Sequence, residues 1–206
     1  AALFGALVGI ALDRTIPRLP YTPRRRLPGR FLLLPAAAGV LLGWLGVSLV
    51  GQPHLLAILA LYTTVYFAVA VIDYETHRIP NVIIFPATVA ALVLSVFDPR
   101  FSWQSAFLGS LLCFALLWVA VVAAERLYGE GAFGMGDAKL GAFIGATTGA
   151  SHFLLALALG IFATGLVAVL LLLSRRASRR SYIPYGPFLC LGAWIVLLWG
   201  DVILKL

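Results

Sequence analysis

Two aspartates in this chain stand where an ionisable side chain is expensive. Asp73 ends one apolar stretch, in the run Val-Ile-Asp-Tyr-Glu-Thr-His-Arg-Ile-Pro-Asn of residues 71–81. Asp137 opens another, in Gly-Ala-Phe-Gly-Met-Gly-Asp-Ala-Lys-Leu of residues 131–140. Ionisable groups in or near a hydrocarbon layer are costly and are candidates for function by default. Two carboxyl groups brought to ~3–5 Å cannot both ionise; they share a proton and titrate as a pair. One then serves as general base on a water while the other, protonated, polarises a carbonyl. That is the chemistry of aspartic proteases, and it requires no metal and no covalent intermediate.

Local structure offers a competing explanation, since an Asp at a helix start is a good N-cap. Capping accounts less well for two aspartates at one depth on one side, each beside a breaker motif. After Asp73 comes Ile79-Pro80-Asn81, with proline placed to open the next helix. Before Asp137 come Gly131, Gly134 and Gly136, which let another backbone approach closely. The glycine-bearing segment Glu125–Gly136 is expected to pair its main chain with an extended substrate and to bring Asp137 toward Asp73. His77 lies one helical turn after Asp73 and is a candidate to tune it. The other ionisable groups read as structural: Asp13 beside Arg14, Asp98 in a turn with Pro99, Asp201 at a helix end, and His54 and His152 at turns of the opposite face. No metal site is expected, because the histidines lack Cys or His partners nearby. Ser48 and Ser110 have no matching His, so serine-type catalysis is not supported. Cys113 and Cys190 form no Cys-x-x-Cys pair and read as small buried apolar residues.

The elements that must position these acids are membrane helices. Of the 206 residues, 62% are hydrophobic and only 11% charged, with mean hydropathy +1.03. A soluble domain carries about 25% charge, so a water-soluble core and intrinsic disorder are both excluded. At ~20 residues per span the chain accommodates an all-α, polytopic bundle of about eight transmembrane spans and no separate soluble domain. The apolar runs are Ala1–Ile16, Phe31–Val50, Leu55–Ile72, Ile79–Phe97, Gln104–Ala124, Asp137–Ala150, Phe153–Leu173 and Gly186–Leu204. The first reads as a short span and not a cleaved signal, with no basic segment before it. The sixth is short and glycine-rich, as suits a helix packed inside the bundle.

Charge assigns the sides. The connections after spans one, three, five and seven, with Lys139, hold 13 of the 15 Lys and Arg; Arg100 and Lys205 lie on the other side. The positive-inside rule makes the first set cytoplasmic and puts both termini outside. Asp73, Glu75, Glu125, Glu130 and Asp137 then belong to the cytoplasmic face. The basic clusters Arg24–Arg26 and Arg175–Arg180 read as topology signals and anionic-lipid contacts; no nucleic-acid partner is expected.

At these motifs the sequence resembles the type IV prepilin peptidases, membrane aspartic proteases of the Gly-x-Gly-Asp type. The matching residues are Asp73 with Ile79-Pro80-Asn81, then Gly134-Met135-Gly136-Asp137 running on to Lys139, then Ile183-Pro184-Tyr185-Gly186-Pro187-Phe188-Leu189. The third motif has no evident role from its chemistry alone; the resemblance implies that it lies near the catalytic pair. The resemblance also implies that Asp73 and Asp137 are the catalytic dyad, with no cofactor. The implied partner is a prepilin or pseudopilin precursor, as in type IV pilus or type II secretion systems. Its basic leader is cut from its apolar helix at the cytoplasmic side of a prokaryotic inner membrane. Glu75, Glu125 and Glu130 are the acids available to meet such a leader. Many members carry a larger cytoplasmic domain after the first span, with two Cys-x-x-Cys pairs linked to N-methylation. Here that place is taken by the short basic connection 13–30, so a single peptidase domain over 1–206 without methyltransferase activity is expected. Two rival readings are a small transporter with the two aspartates as a proton relay, and a non-catalytic pilin-binding relative.

Overall fold

A computed structural model describes residues 2–15, 30–129, 134–174 and 184–204. Among these residues the chain forms seven helices and no strand: α1 (Ala2–Thr15), α2 (Arg30–Ser48), α3 (Pro53–Thr76), α4 (Asn81–Leu94), α5 (Trp103–Tyr128), α6 (Met135–Leu173) and α7 (Gly186–Ile203). Helices are the natural choice for so apolar a chain, because each satisfies its own backbone groups without water. The segments Pro53–Thr76, Trp103–Leu127 and Met135–Leu173 are long and apolar enough to cross a membrane; Leu33–Ser48, Asn81–Leu94 and Gly186–Gly200 are shorter apolar helices. Large apolar side chains such as Val82, Phe85, Trp118, Phe162 and Leu173 face outward, as on a surface solvated by lipid. The protein is therefore a helical membrane protein.

Several expected boundaries shift. The fourth element was expected from Ile79; the helix starts at Asn81, with Pro80 as its extended N-cap. Its last residues fold instead into a tight turn, with Val96 and Phe97 N–H groups donating to the Val93 and Leu94 carbonyls. The fifth helix runs through Glu125 and Arg126 to Tyr128 before Gly129 turns the chain at φ 91°. Helix thus takes up the first part of the segment expected to be free for substrate pairing. Of the connection 13–30, residues 16–29 lie outside the described residues, as do Glu130, Gly131, the whole Arg175–Arg180 cluster on to Ile183, and Lys205.

α6 holds both the expected sixth and seventh spans. It is continuous but for Gly149, whose φ 74° and ψ 171° are not helical. Contacts on either side show that its two arms run in opposite directions. The first arm passes α5 antiparallel: a Cβ at Gly141 would meet Leu117, one at Gly145 would overlap the Gly109 carbonyl, and one at Gly149 would meet Ser105. The second arm passes α7 antiparallel: Gly200 lies against His152, Gly192 against Ala156, and Gly160 against Leu189. Meanwhile the first arm parallels α7. Arg100 donates from Nη1 to the Leu197 carbonyl at 3.1 Å and from Nη2 to the Thr147 carbonyl at 3.5 Å, tying the far ends of the two helices together. Small residues let these backbones approach, the usual basis of helix packing in lipid.

The core where α3, α6 and α7 meet is filled by Tyr62, Tyr66, Phe143, Ile144 and Leu189. Tyr62 meets Phe143 edge to face at 6.1 Å between centroids. The Tyr66 hydroxyl is satisfied by a hydrogen bond with the Thr147 hydroxyl, so a polar tip is buried with its partner. Cys113 and Cys190 are both free thiols buried in this packing. Asp98 has a structural role in its turn, as expected. Its side chain has no exposure and is paired with Arg100, which donates from Nε to Oδ1 at 2.9 Å and from Nη2 to Oδ2 at 2.5 Å.

Candidate active site

Three helix ends converge opposite the Asp98–Arg100 pair. Asp73 sits in the last turn of α3, Asp137 in the first turn of α6, and Gly186 is the first residue of α7. Neither aspartate caps its helix. The N-cap of α6 is Gly134, which has no side chain to offer. Asp73 stands near a helix C-terminus, where the dipole disfavours negative charge. Both side chains are nonetheless buried, with Asp73 6% and Asp137 7% exposed. Asp137, in the first turn of α6, is favoured by that helix's dipole; Asp73 breaks the local rule at its own helix end, which points to a role elsewhere.

The two aspartates line one open cleft of about 310 Å³. Its wall includes Ile79, Asn81, Gly134, Gly136 and Lys139. The sequence motifs meet directly here. Lys139 Nζ donates to Asn81 Oδ1 at 2.9 Å, and its ammonium lies 5.5 Å from the Phe85 ring centroid. A side chain at Gly136 would press on Ile79, 3.2 Å from its Cβ, so the glycine lets α6 begin against the start of α4. Pro80 holds the extended N-cap conformation that turns the chain into α4. A Cβ at Gly134 would lie 3.2 Å from Asp137 Oδ2, leaving that carboxylate little spare room on one side.

The third motif acquires a physical role. The Gly186 N–H donates to Asp73 Oδ2 at 3.1 Å. The first N–H groups of a helix have no partner within it, and its N-terminus attracts negative charge. Asp73 is thus held by the free end of α7. A Cβ at residue 186 would lie 2.5 Å from Asp73 Oδ2 and 2.8 Å from its Cγ, so only glycine leaves room for this contact. Tyr185 is the N-cap of α7 and Pro187 stands in its first turn. Pro184 is buried just before it.

Other expected residues are placed differently. Glu75 is fully buried, so it does not face solvent as an acid receiving a basic leader would. Glu125 is exposed on the last turn of α5, and Glu130 lies outside the described residues. His77 does lie beside Asp73, but as the helix end: it takes the left-handed conformation (φ 53°, ψ 36°), and its N–H donates to the Asp73 carbonyl at 2.8 Å. Sequence reasoning missed that Arg78 and Met135 also line the cleft. A basic residue directly after His77 was visible, but nothing in its spacing distinguished it from a topology signal.

Known proteins match this chain over the stretch that carries both aspartates. Residues 60–169, just over half of the chain, match the model of the type IV leader peptidase family. That stretch contains both aspartates and ends before the third motif. Over 136 residues the chain is 32% identical to the prepilin leader peptidase/N-methyltransferase of Pseudomonas putida, covering 66% of this chain and 47% of that protein. The corresponding protein of Pseudomonas aeruginosa is 30% identical over 138 residues, covering 67% and 48%. That of Stutzerimonas stutzeri is 27% identical over 174 residues, covering 84% and 60%. The chain spans about half the length of the curated relatives it matches. No solved structure gives a significant match. With its aspartate motifs inside the matched stretch, the chain belongs to the type IV leader peptidase family.

Proposed function

We propose that this protein is a membrane-embedded aspartic endopeptidase that removes the basic leader from prepilin or pseudopilin precursors. The observation that carries the reading is the single cleft lined by Asp73 and Asp137, with Asp73 held by the Gly186 N–H. One carboxylate takes a proton from a water as its oxygen attacks the scissile carbonyl carbon. The other, protonated, donates to the carbonyl oxygen as charge develops there. Collapse of the tetrahedral intermediate breaks the C–N bond, and the departing amine receives a proton from the pair. The substrate must be locally extended at the cut, because a helix shields its own peptide bonds.

The charge bias of the connections supports an eight-span arrangement with both termini outside and the cleft on the cytoplasmic side of a prokaryotic inner membrane. In the proposed assignment the whole of 1–206 forms one peptidase domain, and the short connection 13–30 supplies no methyltransferase, since no Cys-x-x-Cys pair occurs in the chain. Methyl transfer from S-adenosylmethionine by the pure protein would overturn that part. Glu125 and Glu130 are the acids proposed to meet the leader's positive charge.

The decisive experiment incubates the purified protein in lipid with a prepilin-like substrate. Asp73→Asn and Asp137→Asn are each expected to abolish cleavage while the protein remains folded. Near-wild-type cleavage by either variant would refute the dyad.

A further inference from the structure

A second concavity lies between α3 and α7, starting about one helical turn before Asp73. On α3 it is lined by Thr63, Tyr66, Phe67 and Ala70; on α7 by Pro187, Cys190, Leu191 and Trp194. Each set has the spacing i, i+3, i+4, i+7, one continuous stripe on one helix face. The two stripes run side by side over about 10 Å of helix at 1.5 Å per residue. Together they form a groove along the bundle, flanked by Leu41 of α2, with an open volume of about 160 Å³. Its surface is hydrocarbon and sulfur, because the polar atoms are already used. Trp194 Nε1 donates to Thr63 Oγ1 at 3.1 Å, and the Tyr66 hydroxyl is bonded to Thr147.

The groove has a direction. Its upper rim is formed by Ala70, about one turn before Asp73, and Pro187, next to the Gly186 whose N–H holds that aspartate. Its lower end is lined by Trp194, which meets Trp44 at a tilt and Trp199 edge to face at centroid distances of 6.2 and 6.1 Å. A helix is ~10–12 Å across, so the groove takes one face of a helix, with one or two large apolar side chains seated between the stripes.

We propose that this groove between α3 and α7 seats the apolar helix of the substrate, parallel to α7, so that the residues preceding that helix emerge at the dyad. The proposal rests on the peptidase reading and adds the substrate's docking site. Its warrant is continuity with the site: a helix laid along both stripes ends where Asp73 is held. In lipid, apolar surface alone gives no preference for a helix over an acyl chain, so selection comes from packing shape. A lipid chain is therefore the rival occupant.

The test uses the full chain in lipid nanodiscs with a tagged substrate carrying a basic leader and a complete apolar helix. A benzoylphenylalanine photocrosslinker replaces Leu191 in the groove or, as control, Trp118 on the outer face of α5, in an Asp137→Asn background that retains substrate. A substrate adduct at 191 that unlabelled substrate competes away, without one at 118, is expected. Adducts to lipid alone at 191, or equal substrate adducts at both positions, would overturn the proposal. In the catalytically intact chain, Leu191→Trp and Ala70→Leu are expected to raise KM about tenfold for the complete substrate with little change in kcat, the signature of lost binding that is shared by ground and transition states. An unchanged KM in both would also overturn it. Cleavage surviving in Asp73→Asn would instead sink the underlying reading, whatever the crosslinks show.

Discussion

A single missing Cβ sets the position of Asp73. Gly186→Ala is expected to push the Asp73 carboxylate aside, because the added carbon would stand 2.5 Å from Oδ2. The α7 N–H that holds the oxygen is displaced with it. A misplacement of about 1 Å at reacting groups can cost about a hundredfold in rate, so kcat should fall by about that factor or more. Helix content should stay close to wild type, since the change falls on the first residue of α7 and not within the helix. A Gly186→Ala enzyme with unchanged kcat would show that Asp73 needs no such holding. The two aspartates and their flanking breakers were legible in sequence because cost and spacing mark them. Gly186 was not: its motif carried no chemistry of its own, and its role is a backbone N–H reaching an oxygen far away in the chain. Glu75 failed as a leader-binding candidate for a related reason. Its place in the chain gives its side of the membrane, while the helical face that buries it is set by packing.

Between elements, the described residues rely on glycines for close crossings and on the buried Asp98–Arg100 ion pair at the end remote from the cleft. Arg100 answers Asp98 and also donates to the carbonyls of Thr147 and Leu197, so one guanidinium ties the α4–α5 turn to α6 and α7. Arg100→Ala leaves a carboxylate buried without its cation. Breaking a buried pair from one side costs about 3–5 kcal/mol, and a loss of this size should appear as a lower midpoint of detergent or thermal unfolding. The double variant Asp98→Asn, Arg100→Leu should lose less, because no lone charge remains; an equal or larger loss would contradict this account. At the α5–α6 crossing, Gly145→Val is expected to force the helices apart, since even a Cβ there would overlap the Gly109 carbonyl. Its effect should be a strong loss of folded protein, judged by resistance to proteolysis. That the chain is built from apolar helices was legible from composition and breakers, and the expected division at Ser151–His152 lies close to the Gly149 break. The Asp98–Arg100 pair was not, because a short turn with a proline looks the same whether it meets water or the end of a bundle.

At the scale of the whole molecule, the fold gives the bundle two unlike ends, and the charge bias of the sequence is the ground on which one of them is proposed to face the cytoplasm. One end gathers Asp73, Asp137 and Gly186; the other gathers Asp98, Arg100 and the turn at Gly51 and Gln52 between α2 and α3. By sequence, 13 of the 15 basic residues, Lys139 among them, belong with the connections after the first, third, fifth and seventh apolar runs, and the positive-inside rule makes that the side proposed as cytoplasmic. A leader still joined to its helix can reach the dyad only from that side, so orientation is a condition of the proposed activity. It can be read without any substrate. Cys113 and Cys190 are buried and should stay unlabelled by a membrane-impermeant maleimide, leaving a clean background. Gln52→Cys, on an exposed turn, should react in intact cells. Leu127→Cys, on the 76% exposed last turn of α5, should react only after the membrane is opened. The reverse pattern would place the cleft outside, away from any leader on newly made protein, and the peptidase assignment would fail with it.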